Sequence, residues 1–186
     1  MYKWLLFGHL LGVGLLLAGL GAHTVSVERL RHVRSTSESA ALMETAELGR
    51  RLILVGGPLP IAAGLTMAIR SWSLTDGWIA TSIALVVGQG VLGSVVDHRL
   101  HRLRSALGAS KGEDPGGNAF SLGADSVLHA GNHVSPLVIA EILFLMSVKP
   151  TGWGILWSIV VMAVLAGLAV WLGSPRTTPT SRVADN

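Results

Sequence analysis

The sequence predicts an all-α, polytopic transmembrane helical bundle, and three observations carry that prediction. Half of the 186 residues are apolar while only 13% are Asp, Glu, Lys or Arg, against about 25% charged residues in soluble domains. The charges avoid the long apolar stretches, so hydrophobicity is segregated along the chain and not spread as a periodic core pattern. Five of those stretches approach or exceed the roughly 20 residues that an α-helix needs to cross a bilayer.

The first stretch runs from Trp4 to Val27 and holds no acid or base apart from His9 and His23. A cleaved signal peptide is the rival reading, but the apolar region is longer than a signal core and its basic flank is Lys3 alone. The second, Leu52 to Ile69, contains Gly56, Gly57, Pro58, Pro60 and Gly64. Prolines this deep remove helical hydrogen bonds, so a bend is expected there. The third, Trp78 to Val96, has Gln89 as its strongly polar member, and the fourth, about Val127 to Val148, carries Pro136 and Glu141. The first third of that fourth stretch holds His129, Asn132 and His133, which leaves an interfacial amphipathic piece, and with it a four-span bundle, as the alternative. The fifth, Trp153 to Leu172, has no charge, and Lys149-Pro-Thr-Gly152 before it favours a tight turn and an antiparallel hairpin.

Residues 1–173 thus read as the bundle and 174–186, rich in Ser, Thr and Pro, as a disordered cytoplasmic tail. The loop around Ser110 to Asn118 reads as equally unable to order, whereas Glu28 to Arg51 has helix formers and a capping start at Ser37 that extend the first two helices beyond the bilayer. Of the 14 Lys and Arg, all but Lys3, Arg70 and Lys149 fall in loops 28–51 and 97–126 or in the tail. Cytoplasmic loops are enriched in these residues, so five spans imply an N-terminus outside and a C-terminus on the cytoplasmic side. The basic residues, which give a net charge of +3, are orientation determinants beside apolar stretches and imply no nucleic-acid partner. The expected partners are the lipid bilayer and other membrane proteins or a second copy. Trp4, Trp72, Trp78 and Trp153 fall at the predicted outer boundary and read as belt anchors.

With no cysteine, thiolate metal sites, iron–sulfur clusters and cysteine nucleophiles are excluded. No phosphate loop or nucleophile elbow is present, so soluble-type NTPase or hydrolase chemistry has no support and the chain reads as a non-enzyme.

Ionisable groups inside a bilayer are costly and mark candidate sites. At 1.5 Å per residue, His9 lies roughly 7 to 8 Å and Glu141 roughly 10 to 11 Å from the outer boundary, which predicts a polar site of His9 and Glu141 joined by Gln89, Thr66 and Ser82. It reads as a proton-responsive or ligand site, or else as a buried pair that sets helix register. His9, Gly12, Leu16, Gly19 and His23 share one face of the first helix, and Gly8 and Gly12 at four-residue spacing admit a close neighbour. A second cluster gathers His23, Asp97, His98, His101, Asp125, His129 and His133 at the cytoplasmic ends. His98 with His101 and His129 with His133 have helical spacings that present two imidazoles to a metal or to haem. Arg99, Arg102 and Arg104 beside them favour anionic lipid, so interfacial histidines are the first reading and metal ligands the second.

The runs Tyr2-Lys-Trp-Leu-Leu-Phe-Gly-His-Leu-Leu-Gly12, Gly57-Pro58 with Ala63-Gly64-Leu65, and Phe144-Leu-Met-Ser-Val-Lys-Pro150 resemble a bacterial family of predicted integral membrane proteins of unknown function, numbered 2269. That family is similar in turn to copper-resistance D type membrane proteins and to a haem-associated protoporphyrinogen oxidase type. The resemblance implies a metal- or haem-linked role for the early histidine, here His9, with haem b or a metal ion as cofactor. The fifth span departs from the four-helix pattern of those relatives. Three functions follow as expectations: a small transporter or membrane assembly component around a His/Glu polar site, a haem- or metal-binding redox protein, and a purely structural partner of a larger membrane complex.

Overall fold

The computed structural model describes residues 2–30, 36–109 and 126–173, and within them the chain is helical with no strand. Among the described residues, five helical segments are long and apolar enough to cross a membrane, compatible with a multi-pass all-α bundle. The sequence around Ser110 to Asn118, the tail 174–186 and Asp125 lie outside the described residues.

Helix α1 covers Tyr2–Leu30. The second crossing is longer than the apolar stretch Leu52 to Ile69 suggested: α2 (Thr36–Gly56) and α3 (Pro58–Ser71) together form a candidate span from Ala40 to Ser71. Ser37 therefore lies inside the first turn of α2 and does not precede it. Pro58 and Pro60 have no N–H, so the carbonyls four residues earlier, of Leu54 and Gly56, lose their helical donors. Gly57 nevertheless keeps helical dihedrals (φ −64°, ψ −47°) and its N–H still reaches Ile53 O at 2.8 Å. The prolines thus interrupt the hydrogen-bond ladder without ending the crossing.

Helix α4 (Gly77–Ala109) has 33 residues, about 50 Å of helix against a hydrocarbon core of about 30 Å, so it projects well past the apolar stretch Trp78 to Val96. Helix α5 (Ser126–Val148) is continuous through Pro136, which makes the histidine-bearing first third part of the same helix as the span. The turn to α6 (Trp153–Gly173) places Lys149 and Gly152 in the left-handed region, with φ of 51° and 49°. Only glycine adopts this without strain, so Lys149 needs outside support, described below.

The molecule is two helical groups side by side. In the first, α1 packs tightly along α2 and α3, and glycine is what lets the backbones meet. A Cβ on Gly19 would lie 2.6 Å from Gly49 O and 2.9 Å from Ile53 N, and one on Gly49 would lie 2.7 Å from Gly19 O. Gly12 against Leu59 and Pro60, and Gly56 against Leu15 and Leu16, continue the seam. Small residues of this kind replace the hydrophobic drive that a bilayer cannot supply between apolar helices. Gly8, expected to share this role with Gly12, faces open space. Gly12 recurs at Gly19 after seven residues and so stays on one face, while Gly8 has turned about 40° from it.

In the second group α5 packs between α4 and α6, and it meets α1 as well. Val138, Ile139 and Ile142 form the buried centre, with Leu16 and Leu20 of α1, Leu85 and Val86 of α4 and Met162 of α6 packed on them. Helix α6 offers little to the interior: Leu156, Trp157, Val160, Val161, Val164, Leu165, Leu168 and Trp171 are exposed, an arrangement compatible with a lipid-facing helix.

Candidate intramembrane polar site

His9 stands on α1 opposite the proline segment. Its Nδ1 lies 2.9 Å from Pro60 O. A carbonyl oxygen only accepts, so Nδ1 carries the hydrogen, and in the neutral imidazole Nε2 is left with its lone pair. Gly64 makes room for the ring, since a Cβ there would sit 3.0 Å from His9 Cε1. Thr66, on the same α3, donates its hydroxyl to Ala62 O at 2.7 Å and is satisfied within its own helix.

Glu141 is 7% exposed, and its Oε1 is buried with no hydrogen-bond partner among the described residues. The bond to His9 expected from their similar depth is absent, and rotation explains why. Asn132, the residue of α5 that reaches α1, donates Nδ2–H to Thr24 O at 3.2 Å. Glu141 follows nine residues later, about 900° of rotation at 100° per residue, which is half a turn away. Depth along the helix matched the pair, but Glu141 belongs to the side of α5 turned away from α1.

On α4, Ser82, Leu85, Gln89, Leu92 and Val96 recur at three- and four-residue intervals and form one stripe. Its register on α5 follows from Gly131, where a Cβ would touch Val96 Cγ2 at 2.5 Å and Leu92 Cδ1 at 3.8 Å. The helices run antiparallel, so Glu141, ten residues beyond Gly131, is level with Val86. Gln89 is then about 4.5 Å deeper along the axis, within one helical turn of Glu141. Gln89 Oε1 is also buried with no hydrogen-bond partner among the described residues. Ser82, 2% exposed, donates to Trp78 O at 2.7 Å. The predicted polar set therefore divides: His9 bonds Pro60 of α3 and Thr66 is satisfied within α3, while Glu141 lies on α5 and Gln89 on α4, within one turn of each other along the axis.

The second histidine cluster lies only partly within the described residues. His98 and His101 are exposed on α4, and His133 is partly buried on α5; the side chain of His129 is not described. No group of three or more His, Asp or Glu capable of holding a metal occurs among the described residues. Helical spacing brings two imidazoles to one face of one helix, but a third ligand has to come from another helix, and sequence spacing does not report that. Nearby, Arg50 grips Glu47 in a bidentate pair (2.9 and 2.8 Å), Arg51 adds 3.2 Å to the same carboxylate, and Asp97 contributes to the field at Arg50.

Two features were not read from the sequence. Asn132 ties α5 to α1; its amide in an apolar stretch was the available signal. Where α3 gives way to α4, Trp72 and Trp78 pack edge to face with centroids 5.8 Å apart, and Lys149 Nζ lies 4.4 Å from the Trp72 centroid and 5.6 Å from that of Trp78. These two belt tryptophans thus hold the ammonium of the left-handed Lys149, whereas Trp4 and Trp153 are largely exposed. Comparison with known proteins returns no matching family model, no matching curated protein and no matching solved structure.

Proposed function

We propose that this chain is a bacterial inner-membrane protein, N-terminus outside and C-terminus cytoplasmic, that acts as a small transporter or membrane assembly component with Glu141 as its functional centre. The observation that supports this is Glu141 buried inside a helix bundle with its Oε1 lacking a hydrogen-bond partner among the described residues. A carboxyl there costs several kcal/mol, and a site that serves only packing would be filled more favourably by an apolar side chain. Gln89 Oε1 on α4 is likewise buried with no partner among the described residues; His9 stands apart, bonded to Pro60 of α3. The decisive experiment is complementation of a deletion strain: Glu141→Gln abolishes rescue at normal protein level, and full rescue by that variant overturns the reading.

The orientation is tested directly because the chain has no cysteine. A single cysteine at Thr151 reacts with an impermeant maleimide on intact cells, and one at Ser37 reacts only after permeabilisation.

A second reading, a haem- or metal-binding protein, is favoured by one observation. His9 donates Nδ1–H to a backbone carbonyl, the outer-shell bond that orients a ligating imidazole and leaves Nε2 to bind. It agrees with what the family resemblance implies for His9. A Soret band in the purified protein that disappears in His9→Ala would establish this reading over the first.

A further inference from the structure

Where α3 passes into α4 and α5 into α6, two indoles meet around one ammonium. Trp72 caps the C-terminus of α3 and Trp78 lies in the first turn of α4. The start of α4 sits against the start of α6, since a Cβ on Gly77 would lie 2.9 Å from Ile155 Cδ1, and this brings both rings to the turn that carries Lys149. The rings stand at 84° to each other and Lys149 Nζ lies over both. The rings alone hold that charge: Lys149 enters no salt bridge among the described residues, and its one hydrogen bond there is the backbone N–H to Leu145 O. Asp76, the one acid between Arg70 and Asp97, belongs to the same short loop, where its Oδ2 accepts the Ser73 N–H at 3.3 Å.

Lysine is not the cation best matched to such a corner. Its ammonium is compact and strongly hydrated, and gives up water to lie on a ring. Here the residue is exposed, and its left-handed backbone, φ 51°, is disfavoured for a residue with a Cβ. A quaternary ammonium has no N–H to leave unpaired, and indole is the best of the aromatic faces for it. We propose that the Trp72–Trp78 corner is a binding site for a quaternary ammonium group and that Lys149 fills it as a displaceable stand-in from within the chain. The site is separate from Glu141 and does not rest on its role. A metal ion fits less well, because hard cations take six or more oxygens and the corner presents ring faces. The same trimethylammonium chemistry is carried by a choline lipid headgroup and by a free organic cation.

The full chain in dodecyl maltoside micelles, which contain no ammonium, is titrated with tetramethylammonium chloride while its indole N–H signals are followed by NMR, with sodium chloride as the control. The expected result is a saturable movement of the Trp72 and Trp78 signals that sodium chloride does not reproduce. Lys149→Met removes the internal occupant and tightens binding roughly 2- to 5-fold, the weight of one exposed cation–π contact. Trp72→Leu abolishes the response of Trp78. Should Trp72→Leu not fold, Lys149→Arg serves instead: its guanidinium stacks on aromatic faces, competes harder and weakens the probe. No saturable response in Lys149→Met overturns the proposal, as does a response that survives Trp72→Leu unchanged or that sodium chloride reproduces. Equal affinity in the wild type and Lys149→Met overturns the stand-in role of Lys149. Nanodiscs of phosphatidylglycerol, with and without phosphatidylcholine, separate the two sources. Signals that move with phosphatidylcholine alone, with weaker binding of the probe, assign the site to the lipid headgroup; equal binding of the probe in both assigns it to a free cation.

Discussion

Replacing Glu141 by methionine deletes both carboxyl oxygens while keeping an unbranched side chain of similar length. At 7% exposure, with Oε1 unpartnered, the wild-type carboxyl bears the cost of an unsatisfied buried polar group, about 1–3 kcal/mol. Methionine fills the same space with a flexible apolar chain suited to irregular gaps, and its neighbours, Val138, Ile142 and Leu145, are apolar. The bundle is therefore expected to gain about 1–3 kcal/mol, roughly 5- to 150-fold in the folding equilibrium, while function is lost, the trade-off expected of a group kept for its chemistry. Unfolding in mixed micelles, followed by tryptophan fluorescence for the wild type and Glu141→Met in parallel, measures it. Unchanged or reduced stability refutes the reasoning, because it would mean that Glu141 is satisfied in place and serves to set helix register.

The same unfolding assay checks three further expectations. Gly19→Val drives a Cβ into Gly49 O and Ile53 N, backbone atoms that yield only if α1 and α2 separate, at a cost of about 1–3 kcal/mol; Gly8→Ala, which meets open space, costs none of this. Asn132→Leu removes the bond to Thr24 O and lowers stability by about 0.6 kcal/mol, the average for polar contacts between membrane helices. Lys149→Ala frees Trp72 and Trp78, costs about 0.5–1 kcal/mol and shifts the emission of those tryptophans; Lys149→Gly, which relieves the left-handed backbone but also loses the ammonium, costs less.

Membership of the polar site shows where linear reading stops. Depth is a one-dimensional quantity, obtained by counting 1.5 Å per residue from a boundary, and it set His9 and Glu141 at nearly one level. Facing is a rotational quantity that depends on which neighbour each helix turns toward. Asn132 revealed that neighbour for α5, and with it the separation of Glu141 from His9. Gln89 was legible as a polar residue in an apolar run, but its place within a turn of Glu141 required the Gly131–Val96 register. The Lys149–Trp72–Trp78 cluster joins residues from two loops more than seventy positions apart, beyond the reach of any local pattern.

The sequence by itself determined the helical class, the five apolar segments and the turn at Lys149 to Gly152, because each is a consequence of composition along a continuous stretch of chain. Tertiary structure alone decided the choice of Gly12 and Gly19 over Gly8 for the helix seam, and the separation of Glu141 from His9. The physical reason is that bilayer insertion is additive over consecutive residues. Packing between helices depends instead on azimuth and register, which are settled only when another backbone arrives against the same face.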